Sequence, residues 1–134
     1  MFRRLEKEKL RTKNNVNWDN FTFNYKNKEI KIILRDEYPF KPPILLIDDK
    51  DHINWFLNEY IKFKCIKKFN LENDCICCNT ILCNWVPTNT IDQAIDEFKI
   101  YYDKYELLKN IELLFKQEFF DDLVYQQIFL YIDI

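Results

Sequence analysis

Tyr38-Pro39-Phe40-Lys41-Pro42-Pro43 is the stretch on which the reading of this chain turns. Its three prolines fall within five residues. A proline cannot donate to a sheet ladder, and it pushes the residue before it out of the helical region. The segment from Asp36 to Pro43 is therefore expected to be a rigid loop between strands. On its N-terminal side, Phe21, Phe23 and Tyr25 alternate with Thr22 and Asn24, and Glu29 to Leu34 form a second run beyond a Lys26-Asn27-Lys28 turn. That pattern predicts two antiparallel strands. On its C-terminal side, Ile44-Leu45-Leu46-Ile47 reads as a buried strand, closed by Asp48-Asp49-Lys50-Asp51.

Helices are expected on either side of this sheet. Phe2 to Lys13 has no helix breaker and is rich in Arg, Leu, Glu and Lys, which predicts a first helix ended by Asn14-Asn15-Val16-Asn17. It is basic, with six positive and two negative side chains from Arg3 to Lys13. From His52 to Phe69 there is no proline, and Ile53, Phe56, Tyr60 and Phe63 recur at helical spacing. Thr90 stands where a cap is needed for a further helix, whose apolar stripe runs through Ile91, Ile95, Phe98, Tyr102 and Tyr105. The stripe continues through Leu108, Ile111, Leu114 and Phe115 towards a last helix or turn from Asp121 to Ile134. An aromatic stripe of this kind is usually core. The whole is read as one α+β domain over residues 1–134, with no repeat and no linker.

Composition narrows the function classes. The 134 residues are 48% hydrophobic and 17% aromatic, enough for a sizeable core. Twenty Lys and Arg against 22 Asp and Glu give a formal charge of −2, with no overall positive field for a phosphate backbone, so no nucleic-acid partner is expected. No apolar stretch approaches the roughly 20 residues a membrane span requires, and Met1-Phe2-Arg3-Arg4-Leu5-Glu6 offers no secretory h-region. The expectation is no membrane and an intracellular site, cytoplasmic or nuclear, including that of a host cell. The chain has no glycine, which excludes a P-loop and a Rossmann fingerprint, both of which need close backbone approach to phosphate.

All five cysteines, Cys65, Cys75, Cys77, Cys78 and Cys83, lie in one short stretch. An odd number in a chain without a secretory signal favours reduced thiols over a disulfide framework. Zinc is the other reading, because these thiolates suffice for a tetrahedral site. Its weakness is spacing: a structural site pairs two knuckles, and here one is C-x-C-C and the second is missing. No metal and no cofactor are expected.

The order helix, antiparallel strands, Pro-rich loop, strand, Cys-bearing segment, Trp-x-Pro and helix resembles the ubiquitin-conjugating enzyme (UBC-like) fold. Tyr38-Pro39-Phe40-Lys41-Pro42-Pro43 resembles that family's Tyr-Pro-Phe-Lys-Pro-Pro loop without a change. The run from Ile76 through Cys77, Trp85-Val86-Pro87 and Thr90-Ile91 resembles the family's stretch from catalytic Cys through Trp-Ser-Pro to Thr-Ile. Cys77, eight residues before Trp85, takes the nucleophile position without a gap. His52-Ile53-Asn54 stands for the family's His-Pro-Asn, with Ile for Pro. His52 is 25 residues from Cys77, so a helical insertion around 55–70 is expected. The family's glycine-containing segment between early strands is missing, and its acidic gate residue has no match.

The resemblance implies a transferase that carries ubiquitin or a ubiquitin-like protein as a thioester on Cys77 and passes it to lysine. Cys78 is the alternative nucleophile if one residue is deleted before Trp85. A thiolate must be reachable to attack, whereas a buried Cys is an inert small hydrophobe. Asn54 is implied as the amide donor to the oxyanion formed when the amine attacks; otherwise it caps or turns the start of a helix. His52, the only histidine, is implied as a structural residue and lacks the third group of a Cys/His hydrolase. Phe40, Trp85 and Pro87 correspond to the loops that meet a ubiquitin ligase, and the basic helix with Arg3 and Arg4 to the face that meets the activating enzyme. Two other functions stay open: a non-catalytic UBC-like domain that binds ubiquitin or a ligase, and a zinc-stabilised interaction domain.

Overall fold

The computed structural model describes residues 2–63 and 80–116. Cys65, Cys75, Cys77 and Cys78 lie outside the described residues, as do residues 64–70 of the expected insertion and the last segment from Asp121. The elements run α1 (Phe2–Arg11), β1 (Thr22–Tyr25), β2 (Lys28–Ile33), β3 (Ile44–Ile47), β4 (Lys50–Asp51), α2 (His52–Ile61) and α3 (Ile91–Lys116). The architecture is α+β, as expected.

The sheet is an antiparallel meander in the order β1-β2-β3-β4. Its register sets Phe23 opposite Ile30, Ile30 opposite Ile47, and Ile32 opposite Leu45. Because strand side chains alternate between faces, these five project to one side, where all are buried. Two sharp turns make the meander possible in a chain with no glycine. Lys26-Asn27 and Asp48-Asp49 both take positive φ, at 47° and 68° and at 51° and 63°. Positive φ at both central residues is the turn whose twist matches a hairpin, and Asn and Asp tolerate it better than other non-glycine residues.

The structure departs from the sequence reading at two places here. Asp48-Asp49-Lys50-Asp51 does not simply close β3, because the Asp48-Asp49 turn folds Lys50–Asp51 back as β4. Phe21 is not in β1; it takes φ 54° before the strand and its carbonyl accepts from the Ile32 N–H at 2.8 Å.

Helix α2 starts at His52, where Asp51 supplies the cap by accepting the Ile53 N–H at 2.9 Å. Helix α3 starts with a capping box. Thr90 Oγ1 accepts the Gln93 N–H at 3.2 Å, and Gln93 Oε1 accepts the Thr90 N–H at 3.1 Å. The predicted stripe Ile91, Ile95, Phe98, Tyr102, Tyr105, Leu108 and Ile111 is buried along one continuous helix. Aromatic edges join the layers. Phe98 meets Phe23 of the sheet at 5.6 Å between ring centroids and Phe56 of α2 at 5.7 Å. Trp55 of α2 meets Tyr105 at 4.9 Å. No helix among the described residues is long and apolar enough to cross a membrane.

Candidate functional site

The site is built where three pieces of chain converge: α1, the Pro-rich loop and the segment leading into α3. Tyr38 is 2% exposed, and the turn around it is closed by Tyr38 N–H to the Arg35 carbonyl at 3.0 Å and Phe40 N–H to the Glu37 carbonyl at 2.7 Å. Trp85 donates its indole N–H to the Pro39 carbonyl at 2.7 Å, and its ring lies 6.1 Å from that of Tyr38. The two sequence blocks that carry the resemblance are thus directly bonded, through residues 46 positions apart in the chain.

Beneath them sits a carboxylate that sequence reasoning missed. Glu8 is 5% exposed; its Oε2 accepts the Tyr38 hydroxyl and its Oε1 accepts the Ile91 N–H of α3 at 2.7 Å. Arg4, one helical turn away, lies 3.4 Å from Glu8 Oε2. Its guanidinium also donates to the Pro87 carbonyl at 2.7 Å and to that of Asn89. Burial and the adjacent Glu8 both push the Tyr38 hydroxyl above the usual phenol range, burial being the larger cause. The signal that could have found Glu8 is its place one turn after Leu5 on the inward face of an otherwise solvated helix.

The named candidates are distributed as follows. Arg4, Trp85 and Pro87 are brought together with the Pro-rich loop. Arg3 is exposed on α1, and Phe40 projects from the loop with 76% of its surface exposed. Val86 and Pro87 are exposed beside Trp85. A cleft of about 380 Å³ between α1 and the start of α3 is lined by Arg4, Lys7 and Arg11 with Glu8, Thr88 and Asp92. Asn54 is exposed on the first turn of α2, and the cap there is Asp51, not Asn54. Cys77 and Cys78 lie outside the described residues, and so does any zinc arrangement built on them. Cys83 is exposed and its thiol is free among the described residues.

His52 is 1% exposed between Phe56 and Phe98, at 6.2 and 5.8 Å between ring centroids. Its Nδ1 has no hydrogen-bond partner among the described residues and stands 3.7 Å from Asp51 Oδ1. Burial lowers its pKa below 6.5, against weaker raising by Asp51 and by a backbone hydrogen bond with Leu45. A buried neutral imidazole is a core residue, in keeping with a structural His52.

Below about pH 6.5 the unfolded chain protonates this imidazole while the folded chain does not. Stability contributed by His52 therefore falls as pH drops from 6.5 to the lower folded value, at no more than about 1.4 kcal/mol per pH unit. Glu97 acts in the opposite sense, since burial raises its pKa and acidification above 4.5 favours its folded form. Comparing urea midpoints at pH 7.5 and 5.5 in wild type and His52→Gln isolates the histidine. The wild type is expected to lose more on acidification than the variant, and equal losses would contradict the burial.

Comparison of the chain with protein-family models, with curated proteins and with solved structures found no match.

Proposed function

We propose that this chain is a divergent ubiquitin-conjugating enzyme that holds ubiquitin or a ubiquitin-like protein on Cys77 and transfers it to lysine. The observation that carries the reading is the bond between Trp85 Nε1 and the Pro39 carbonyl, which joins the two stretches bearing the family resemblance. The Cys77 thiolate attacks the acyl carbonyl of the modifier held by its activating enzyme, and the activating enzyme's thiolate leaves. A lysine amine then attacks the new thioester; the Cys77 thiolate leaves and the ammonium proton passes to solvent. Asn54 is the donor proposed for the oxyanion of that second step. Arg3 and the cationic side of α1 face the activating enzyme, while Phe40, Trp85 and Pro87 form the ligase surface.

The second reading is a binding domain without thioester chemistry. It is favoured by the exposed Phe40 and Val86, an apolar surface on adjoining loops that needs no thiol to capture a partner.

Charging with activating enzyme, ATP and ubiquitin, resolved on a non-reducing gel, separates the two. The expected result is an adduct that reductant removes, that disappears in Cys77→Ser and that survives in Cys78→Ser. Loss in Cys78→Ser alone moves the nucleophile by one residue. No adduct with ubiquitin or with several ubiquitin-like modifiers would leave the binding domain.

A further inference from the structure

Residues 80–84 form a knot hung on α3. Thr80 is 1% exposed, its Oγ1 accepts the Cys83 N–H at 3.2 Å, and its carbonyl accepts both the Asn84 N–H and the Asn84 side-chain amide at 3.1 Å. The knot is fastened from outside by Glu97, whose two carboxylate oxygens lie 2.9 and 3.2 Å from the Ile81 nitrogen and share its N–H. Trp85 follows at once and docks on Pro39. The chain four residues past Cys77 is thus tied to α3, the helix whose first residue, Ile91, donates its N–H to Glu8, and one residue past the knot it is tied to the Pro-rich loop.

A carboxylate is a costly choice for this place. Glu97 is half-buried and its neighbours Ala94 and Phe98 are at most 1% exposed, so an apolar side chain would suit the helix face better. Burial raises its pKa, with the Ile81 N–H pulling in the other direction. What the carboxylate gains is a charge-assisted bond to the Ile81 backbone N–H.

We propose that Glu97 is a positioning residue for the transfer: by holding Ile81 it sets where the cysteine-bearing segment rejoins the frame made by Tyr38, Pro39 and Trp85. The proposal rests on the thioester reading, and its test is arranged so that either can fail alone. A small misplacement of a nucleophile lowers the rate of the chemical step without weakening capture of the partner.

Full-length wild type, Glu97→Ala, Glu97→Gln and Leu108→Ala are compared in single-turnover charging with activating enzyme, ATP and ubiquitin. Glu97→Ala is expected to slow charging at saturating activating enzyme on the order of tenfold with KM little changed, while Glu97→Gln, whose amide oxygen can still accept from Ile81, recovers to within roughly threefold. Leu108→Ala empties a core position on the same helix away from the knot and is expected to lower the urea midpoint without changing the charging rate. An alanine variant as fast as wild type, a glutamine variant as slow as alanine, or equal slowing by Leu108→Ala would each overturn the positioning role. Should wild type accept no modifier, the thioester reading fails, and alkylation of Cys77 by iodoacetamide, located by mass spectrometry, decides the rest. A rate altered in Glu97→Ala and restored in Glu97→Gln sustains the anchor; identical rates in all three refute it.

Discussion

Replacing Glu8 by alanine is expected to lower the unfolding free energy by about 3 to 5 kcal/mol, a large share of the roughly 5 to 15 that such a domain has in all. The side chain is short of water and serves three partners from three parts of the chain. Its removal leaves the Ile91 N–H, on a residue with no exposed surface, and the Tyr38 hydroxyl without acceptors. Each such orphaned donor costs about 1 to 3 kcal/mol. The lost attraction to Arg4 adds less, since the guanidinium is partly in solvent. Urea unfolding followed by Trp fluorescence measures the effect. The mechanism has its own signature in a double-mutant cycle. Tyr38→Phe removes one of the stranded donors, so Glu8→Ala with Tyr38→Phe should cost about 1 kcal/mol less than the two single losses added together. Strict additivity would mean that the hydroxyl and the carboxylate do not meet.

That such a residue escaped the sequence reading has a physical reason. The stripe from Ile91 to Ile111, the alternation of Phe23 and Tyr25, and the prolines after Tyr38 are patterns with a period, and period is what secondary structure imposes on a sequence. They placed α3, β2 and the loop correctly, and β1 apart from Phe21, which lies before the strand. Thr90 announced a helix start, because a cap is local in sequence. Asp48-Asp49 was less legible, since two acidic residues in a row describe a solvated loop as well as a tight hairpin. Glu97 was not legible at all, and Glu8 only through its place one turn after Leu5. A Glu on a helix is by default a solvated charge, and what buries these two is the arrival of Tyr38, Ile91 and Ile81 from distant parts of the chain. The candidate site was readable only where it rested on family-like blocks. The bond that joins those blocks, from Trp85 to Pro39, has no periodic or local signature.

Phe98→Ala is expected to cost as much again, about 3 to 5 kcal/mol, by leaving a cavity where the three layers meet. Phe98 has no exposed surface and touches rings from every side: Phe23 edge-on, Phe56, His52, and Tyr102 stacked at 5.9 Å. No neighbour can collapse into the space, because each is itself held by a strand or a helix. Phe98→Leu, which keeps most of the volume, should lose less than half as much. A loss below about 1 kcal/mol for the alanine variant would mean that α3 does not pack on the sheet in this way. The position also separates global from local effects at the candidate site. Glu97 and Phe98 are adjacent on the same turn, one reaching out to Ile81 and the other into the core. Amide hydrogen exchange at Ile81 should therefore rise in Phe98→Ala only as far as overall stability falls, in step with the amides of β2 and β3. In Glu97→Ala it should rise while those strands stay protected. If the two variants expose Ile81 in the same proportion to the core, the contact at Glu97 is only part of general packing, and the segment after the cysteines has no separate anchor.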